Sequence, residues 1–456
     1  MFLGGELHDQ DKQFGKSGDN DLFDRNMRAS LQTLLRRASA EEWIPSIGDF
    51  LRSPEDFFLN HQDSLATSTS ASYIDELGKK RSMHWRDFYK LENRGDLFHL
   101  MVRTKELISY LLGGDDVYIP EICVFGKSDD PIPPAKYQQR WCLLGEEVVG
   151  RHRNIFQIPP ELNFVLKGLF GFVDKEGQFR VFDNTFSIQE RLDGHCMGRP
   201  VLPTLQDFVS SGDESADTDI SNWDGSISPH CFRSLFAQHL DLLGGWGIDP
   251  SRLTRVCCRI DHFWTKNGVT SDAAMARVTI IPPIVQPDGS RVPGKSPGPI
   301  YILPSGLQTT LYGNCLVHHA MLETRVAASD FMVMGDDCLF RERALDSVLE
   351  VYRNARLKVK EKVRGDNTGV MFCSYLIDKD GSISLDRPKL TRRALIRCSV
   401  DNTCLADPRY APAMAVLYPE MGGGGAKERS GDRYRVDGLS GLDAEVVSAL
   451  VEYLHD

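Results

Sequence analysis

The ten residues Phe331-Met-Val-Met-Gly-Asp-Asp-Cys-Leu-Phe340 constrain the fold more than any other stretch of the chain. Two short apolar runs flank Gly335-Asp336-Asp337, the pattern of a β-hairpin whose tight turn carries the acids. Glycine supplies the turn, and the acids are held out of the apolar flanks. Two adjacent carboxylates repel each other, so the pair is a weak structural device, whereas a divalent cation compensates it directly. Taken alone, the tripeptide also suits an ordinary turn.

A second acidic block, Asp219-Ile-Ser-Asn-Trp-Asp224, puts one carboxylate at the end of a short strand and another five residues later. Mg²⁺ takes one or two protein carboxylates and leaves its other positions to phosphate oxygens and water. Two such ions roughly 4 Å apart activate a 3′-hydroxyl and stabilise a departing pyrophosphate. That chemistry needs acids from two different strands meeting at one point, and Asp219 and Asp336 can supply them.

Between the acidic blocks lies Ser305-Gly306-Leu-Gln-Thr-Thr310-Leu-Tyr-Gly-Asn314. Pro304 and Gly306 fit a loop, and residues 308–328 read as a long helix. Thr310 and Asn314, four apart, then share one face. Neutral hydrogen-bonding groups so placed suit a ribose hydroxyl or a base-pair edge. The plainer reading is a helix cap at Ser305 with an exposed polar face. His318 and His319 on the same helix read as structural or solvated.

The rest of the chain sets bounds. Its 456 residues, 41% hydrophobic, suffice for several domains or one large multi-lobed unit. A net charge of −11 is unusual for a nucleic-acid binder. Local field matters more than the total, and residues 353–364 and 387–397 are strongly basic, whereas the acidic excess lies elsewhere, notably in Ser210–Asp219. The eleven cysteines include no C-x-x-C pair, which predicts reduced, mostly buried thiols. Zinc at His195, Cys196, His230 and Cys231 is the minor alternative. No apolar run approaches the roughly 18 residues of a membrane span, and the start lacks the pattern of a signal peptide.

Along the chain, the first 60 residues are polar and charged, and an N-terminal stretch without fixed structure is expected. Helical spacing runs through residues 82–112, and a short strand through 121–125. Proline-rich loops are expected at 129–137 and 282–299. Gly422–Gly425 marks a flexible joint before a final helix.

Together the three blocks resemble motifs A, B and C of viral RNA-dependent RNA polymerases: D-x4-D, S-G-x-x-x-T-x-x-x-N and G-D-D, in the family's order. The combination is far more specific than any one block. The sobemovirus, polerovirus and barnavirus group is the nearest in pattern. MGDDCLF and DISNWD look like its third and first motifs, Cys196–Pro200 like its short Met-Gly segment, and Phe372–Ile377 like its fifth motif. The resemblance covers roughly residues 122–390.

The resemblance implies an α+β right-hand fold of fingers, palm and thumb, with an antiparallel palm sheet flanked by helices. It implies an N-terminal extension with fingers elements at 1–115, and fingers with the basic motif at the nucleotide entrance at 116–212. Palm is implied at 213–244 and 301–380, a fingers insertion at 245–300 and thumb at 381–456. Asp219 and Asp336 would bind two Mg²⁺ (or Mn²⁺) ions, with Asp337 supporting. Asp224 and Asn314 would read the ribose 2′-hydroxyl, the group that separates RNA from DNA. Ser305, Gly306 and Thr310 would shape the nucleotide pocket.

Lys127, Lys136 and Arg140 stand where the family grips the triphosphate. Cys142 occupies the place of a second arginine there, so Arg140 alone, or Arg151 or Arg153, takes that load. Lys358, Lys360 and Lys362 are candidates for the general acid to pyrophosphate, with Lys362 preferred. Implied partners are RNA template and nascent RNA, ribonucleoside triphosphates, a protein primer and other viral replication proteins. The implied location is the host-cell cytoplasm, at membranes through partners. A reverse transcriptase-like polymerase, a catalytically silent RNA-binding scaffold and a carboxylate-metal nuclease or phosphatase are the competing readings.

Overall fold

The computed structural model describes residues 2–3, 12–37, 40–65, 70–74, 80–115, 118, 120, 122–131, 139–143, 146–170, 172–173, 178–181, 184–187, 202–210, 214–265, 284–285, 291–292, 294–301, 303–304, 306–307, 309–359, 370–373, 375–378 and 381–385. The chain is an α+β protein. Its principal helices are α1 (Ser17–Arg37), α2 (Ala40–Arg52), α3 (Pro54–Asn60), α4 (Arg94–Leu111), α5 (Pro160–Phe170), α6 (Leu202–Ser210), α7 (Pro229–Leu242), α8 (Pro250–Cys258), α9 (Thr310–Leu322) and α10 (Leu345–Asn354). The strands used below are β1 (Ile122–Pro131), β2 (Gln139–Leu143), β3 (Glu146–Gln157), β4 (Ser215–Thr218), β5 (Arg259–Thr265), β6 (Gly294–Tyr301), β7 (Phe331–Met334), β8 (Asp337–Arg341), β9 (Val370–Phe372), β10 (Tyr375–Ile377) and β11 (Ile383–Leu385).

Helix α9 lies at the centre. Tyr312, Cys315, Leu316, Val317, Ala320, Met321 and Leu322 are all buried. A helix that is apolar all round has no solvent face to present and belongs inside the core. It packs against α1, α7, α10 and β7.

The polar N-terminal region is less open than its composition suggests. In α1, Phe23, Met27, Leu31 and Leu34 fall on one stripe and are fully buried in the main core. Polar ties finish the seam. Asn26 Nδ2 donates to the Ala320 carbonyl at 3.2 Å, and Arg28 Nη1 donates to Gln238 Oε1 at 2.9 Å. The part of the N-terminal expectation that falls on residues 4–11 lies outside the described residues.

Three sheets organise the strands that matter here. The largest has the order Phe2–Leu3, β6, β5, β1, β3, β2. Its β5–β1 pairing is parallel and the others are antiparallel. A second sheet, β4-β8-β7, is wholly antiparallel. A third joins β9, β10 and β11, and β9 packs against β4 and β8. The β4-β8-β7 sheet is therefore covered on both faces. Phe331, Val333, Cys338 and Phe340 join the main core, while Met332 and Leu339, at the alternating positions, are buried outside that cluster.

Two element expectations are corrected. The helical spacing read over 82–112 holds only from Arg94; Lys80–His84 is a strand and Trp85–Tyr89 a 3-10 turn. Apolar residues at mixed spacing fit either element. The expected loop at 282–299 contains strands Ile284–Val285 and Arg291–Val292 and most of β6. Pro297 and Pro299 of β6 fall where its register with β5 shifts between the Ile300 and Lys295 pairings, an irregularity at which proline is tolerated. Residues 387–397, Gly422–Gly425 and the expected final helix lie outside the described residues. Among the described residues, no helix is long and apolar enough to cross a membrane.

His239 of α7 creates a pH liability. Its ring is fully buried and stacked on Phe170 at 4.6 Å, and no described residue bonds either ring nitrogen. Burial pushes its pKa from 6.5 down to about 3. Between those values the unfolded chain binds the extra proton, so stability is complete above pH 6.5 and falls as the pH drops toward 3. His239→Phe is expected to flatten this decline. Urea midpoints at pH 7.5 and pH 5 check it, and an unchanged difference between the two would contradict it.

Candidate functional site

The Gly335-Asp336 turn is the tip of the β7–β8 hairpin, in which Met334 pairs with Asp337. Gly335 has φ +63° and Asp336 keeps a negative φ, which is the sign pattern of a type II′ turn. That turn matches the right-handed strand twist and wants glycine first. The hairpin expected from the sequence is therefore present, with Asp336 in the turn and Asp337 opening β8. Both acids are exposed.

Strand β4 pairs with β8 in the register Ser215–Arg341, Ala216–Phe340, Asp217–Leu339 and Thr218–Cys338. Continued by one residue, that register sets Asp219 opposite Asp337, directly beside the turn. The two acidic blocks thus meet at one end of one sheet. Asp219 leaves the end of its strand, as the spacing predicted.

Beyond Asp219 the chain turns sharply. Ile220 forms an antiparallel bridge with Val359, and the Ser221 N–H donates to the Lys358 carbonyl at 2.8 Å. Asn222 has φ +54°, a left-handed conformation that asparagine tolerates. This reversal starts the single helical turn Trp223–Ser226, which carries Asp224. Of the three candidate lysines, Lys358 is exposed beside this block. Lys360 and the preferred Lys362 lie outside the described residues.

The loop and helix of the third block close over the same region. The Leu303 N–H donates to the Asp224 carbonyl at 3.0 Å. Thr310 Oγ1 donates to the Pro304 carbonyl at 3.1 Å, tying the loop to the first turn of α9. The N-cap is Thr309 rather than Ser305, whose placement lies outside the described residues. Trp223 Nε1 donates to Asn314 Oδ1 at 3.0 Å. Asn314 is buried, so its carbonyl end serves the indole and its amide end is what it can offer a ligand. Asn314 is thereby tied to Trp223, the chain neighbour of Asp224.

His318, read from sequence as structural or solvated, is structural. It is fully buried beneath the turn. Its Nδ1 lies 2.9 Å from the Gly335 carbonyl and its Nε2 2.8 Å from the Tyr352 hydroxyl, and Thr218 Oγ1 lies 3.4 Å from that hydroxyl. Its ring packs on Trp223 with centroids 4.5 Å apart. Burial lowers its pKa to about 4, so the ring is neutral at pH 7. A helix position four residues after Asn314 was the available signal. His319 is also buried, beside Ser30 and Glu323.

The basic residues are placed by backbone register only. Lys127 of β1 pairs with Arg153 of β3, and Arg140 of β2 pairs with Val149, two residues before Arg151. Their side chains, and Lys136 altogether, lie outside the described residues.

Among the described residues no three or more His, Cys, Asp or Glu side chains converge on one point. Asp219, Asp336 and Asp337 share one sheet end without forming a closed cage. Magnesium takes one or two protein carboxylates and fills its other positions with phosphate oxygens and water. The zinc alternative finds no support in its described half: His230 lies 3.7 Å from Asp24, and Cys231 is buried beside Ser228 and Gln13. His195 and Cys196 lie outside the described residues. Of the cysteines whose side chains are described, all are free thiols and all but Cys373 are buried.

No model of a known protein family matches the chain, and no curated protein matches it significantly.

Proposed function

We propose that the chain is an RNA-dependent RNA polymerase that replicates and transcribes the genome of a positive-strand RNA virus. The observation that carries this reading is the β4–β8 register, which brings Asp219 to the Gly335-Asp336-Asp337 turn. A binding scaffold has no use for three carboxylates at one sheet end. A nuclease or phosphatase has no use for the adjoining Gly306, Thr310 and Asn314 block. On this reading the fold is a right hand, the β4-β8-β7 sheet is its palm and the six-stranded sheet belongs to its fingers.

Asp219 and Asp336, supported by Asp337, would hold two Mg²⁺ or Mn²⁺ ions. When bound, these ions activate the 3′-hydroxyl and neutralise charge on the phosphates. Asp224 and the Asn314 amide hold the ribose 2′-hydroxyl. Ser305, Gly306 and Thr310 shape the space around the nucleotide. Lys127, Lys136 and Arg140, with Arg153 across the pairing from Lys127, neutralise the triphosphate. The primer 3′-oxygen attacks the α-phosphorus, the bond to the β-phosphate oxygen breaks, and Lys362 gives its proton to the leaving pyrophosphate. Catalysis is then mostly positioning and charge stabilisation. The partners are template and nascent RNA, ribonucleoside triphosphates and other viral replication proteins, with initiation either primer-independent or from a protein primer. Membrane attachment in the host cytoplasm is through such partners.

The test is RNA-templated incorporation of labelled nucleotides with Mg²⁺ or Mn²⁺, comparing wild type with Asp336→Ala. Template-length product is expected from wild type alone, and from ribonucleotides in preference to deoxyribonucleotides. Preference for deoxyribonucleotides would turn the reading toward reverse transcription. Template-bound protein with no product on any template would turn it toward the scaffold.

A further inference from the structure

The middle peptide of a two-residue hairpin turn is the part the strand ladder does not hold. Its N–H and C=O lie across the turn, and flipping it converts type II′ to type I′. In this chain that peptide joins Gly335 to Asp336, so its orientation aims the Asp336 side chain. A type I′ turn would need a positive φ at Asp336, where the observed value is negative.

The Gly335 carbonyl is held from below by His318 Nδ1 at 2.9 Å. A carbonyl only accepts, so Nδ1 carries the proton and Nε2 is the acceptor. Nε2 is then met by the Tyr352 hydroxyl at 2.8 Å, whose oxygen is met by Thr218 Oγ1 at 3.4 Å. Every donor and acceptor in this chain has one consistent role. Thr218 immediately precedes Asp219, Gly335 immediately precedes Asp336, and Tyr352 belongs to α10. The Gly335 N–H is engaged as well, by Cys315 Sγ at 3.3 Å, one helical turn before His318.

We propose that His318 is a positioning residue of the carboxylate site, holding the Gly335–Asp336 peptide in one orientation and, through Tyr352 and Thr218, fixing the turn relative to Asp219. The inference rests on the reading of Asp219 and Asp336 as metal ligands. It adds that the geometry they present is set from α9 before any ion or nucleotide arrives. Groups bonded to metal ligands commonly govern metal affinity by roughly 10- to 100-fold, and His318, which acts through the peptide that carries Asp336, belongs at the low end of that range.

The experiment is direct titration with Mn²⁺ alone, with bound ion read by electron paramagnetic resonance, on full-length protein whose folding is checked by melting. Wild type is compared with Asp336→Ala, His318→Phe, His318→Asn and Tyr352→Phe. His318→Phe keeps the ring packing on Trp223 and removes the donor; its Mn²⁺ affinity should fall roughly 10-fold. His318→Asn places an amide N–H near the lost Nδ1–H and should recover most of that loss. Tyr352→Phe keeps the bulk of the ring and should weaken binding less than His318→Phe, which serves as the independent arm if either His318 variant fails to fold. Wild-type affinity in His318→Phe and Tyr352→Phe overturns the proposal, as does an Asn variant as weak as the Phe variant while equally folded. Equal Mn²⁺ binding by wild type and Asp336→Ala removes the metal-site reading itself, and the proposal with it.

Discussion

Asp219→Asn and Asp336→Asn are each expected to abolish nucleotide addition, by about 10³-fold or more, while melting no lower than wild type in metal-free buffer. The two halves of this expectation have one cause. Asp219 is set opposite Asp337 by the β4–β8 register, and Asp336 precedes Asp337 in the chain. Without a cation these like charges oppose one another at the sheet end. Asparagine keeps the shape and removes one charge, so the fold gains or is unchanged. The same charge is what a cation and a triphosphate require. Stability exchanged for function in this way is the mark of a site rather than a core. Melting in EDTA and single-turnover extension read the two halves separately. A large loss of stability in either variant would make the carboxylates structural, and retained extension would move the site elsewhere.

Gly306→Ala is expected to cost about 1–3 kcal/mol of stability and roughly 100-fold in activity, a large effect for one methyl group. A Cβ at Gly306 would lie 2.2 Å from the Phe156 carbonyl oxygen and 3.2 Å from Ile158 Cγ1. The first of these is backbone and cannot swing away. Gly306 does not occupy the left-handed region, so the constraint is close approach and not conformational freedom. Yielding would push the loop away from Phe156, where Asn163 Nδ2 holds the Gly306 carbonyl at 3.2 Å. The displacement would pass to the Thr310–Pro304 closure and to the start of α9. Urea midpoints and the KM for ribonucleotides measure the two effects. Wild-type values for both would show that the loop has room to move.

The hairpin was legible because a turn glycine and two acids interrupt short apolar runs, a local signal; the strand before Asp219, Ser215–Thr218, has no apolar run to mark it. The pairing of β4 with β8 was not legible either, since nothing local specifies which distant strand lies alongside. The burial of α1 was hidden by its composition. Its many polar residues outweigh the stripe of Phe23, Met27, Leu31 and Leu34 unless the period is counted. Asn314 was legible as a polar group on the face it shares with Thr310. Its bond to Trp223 was not, because an indole in another block carries no partner label in the sequence. The role of His318 was hidden for the same reason: it is set by the Gly335 carbonyl and the Tyr352 hydroxyl, which only the fold brings near.

The seam between α1 and α9 also has a consequence for how the chain is made. Asn26 and the Ala320 carbonyl that it bonds are 294 positions apart. At roughly 5–20 residues per second, α9 leaves the ribosome on the order of 15–60 s after α1. Before α9 arrives, the stripe of Phe23, Met27, Leu31 and Leu34 has only α2 and α7 to pack against and is covered in part. The sheet carrying the acids is completed later still, because β4 cannot pair with β8 until the hairpin, which follows α9 in the chain, is synthesised. The packing of the earliest helix and the chemical centre are therefore both completed late, and a ribosome-bound chain stopped before α9 would present a partly covered apolar stripe to chaperones and no assembled site.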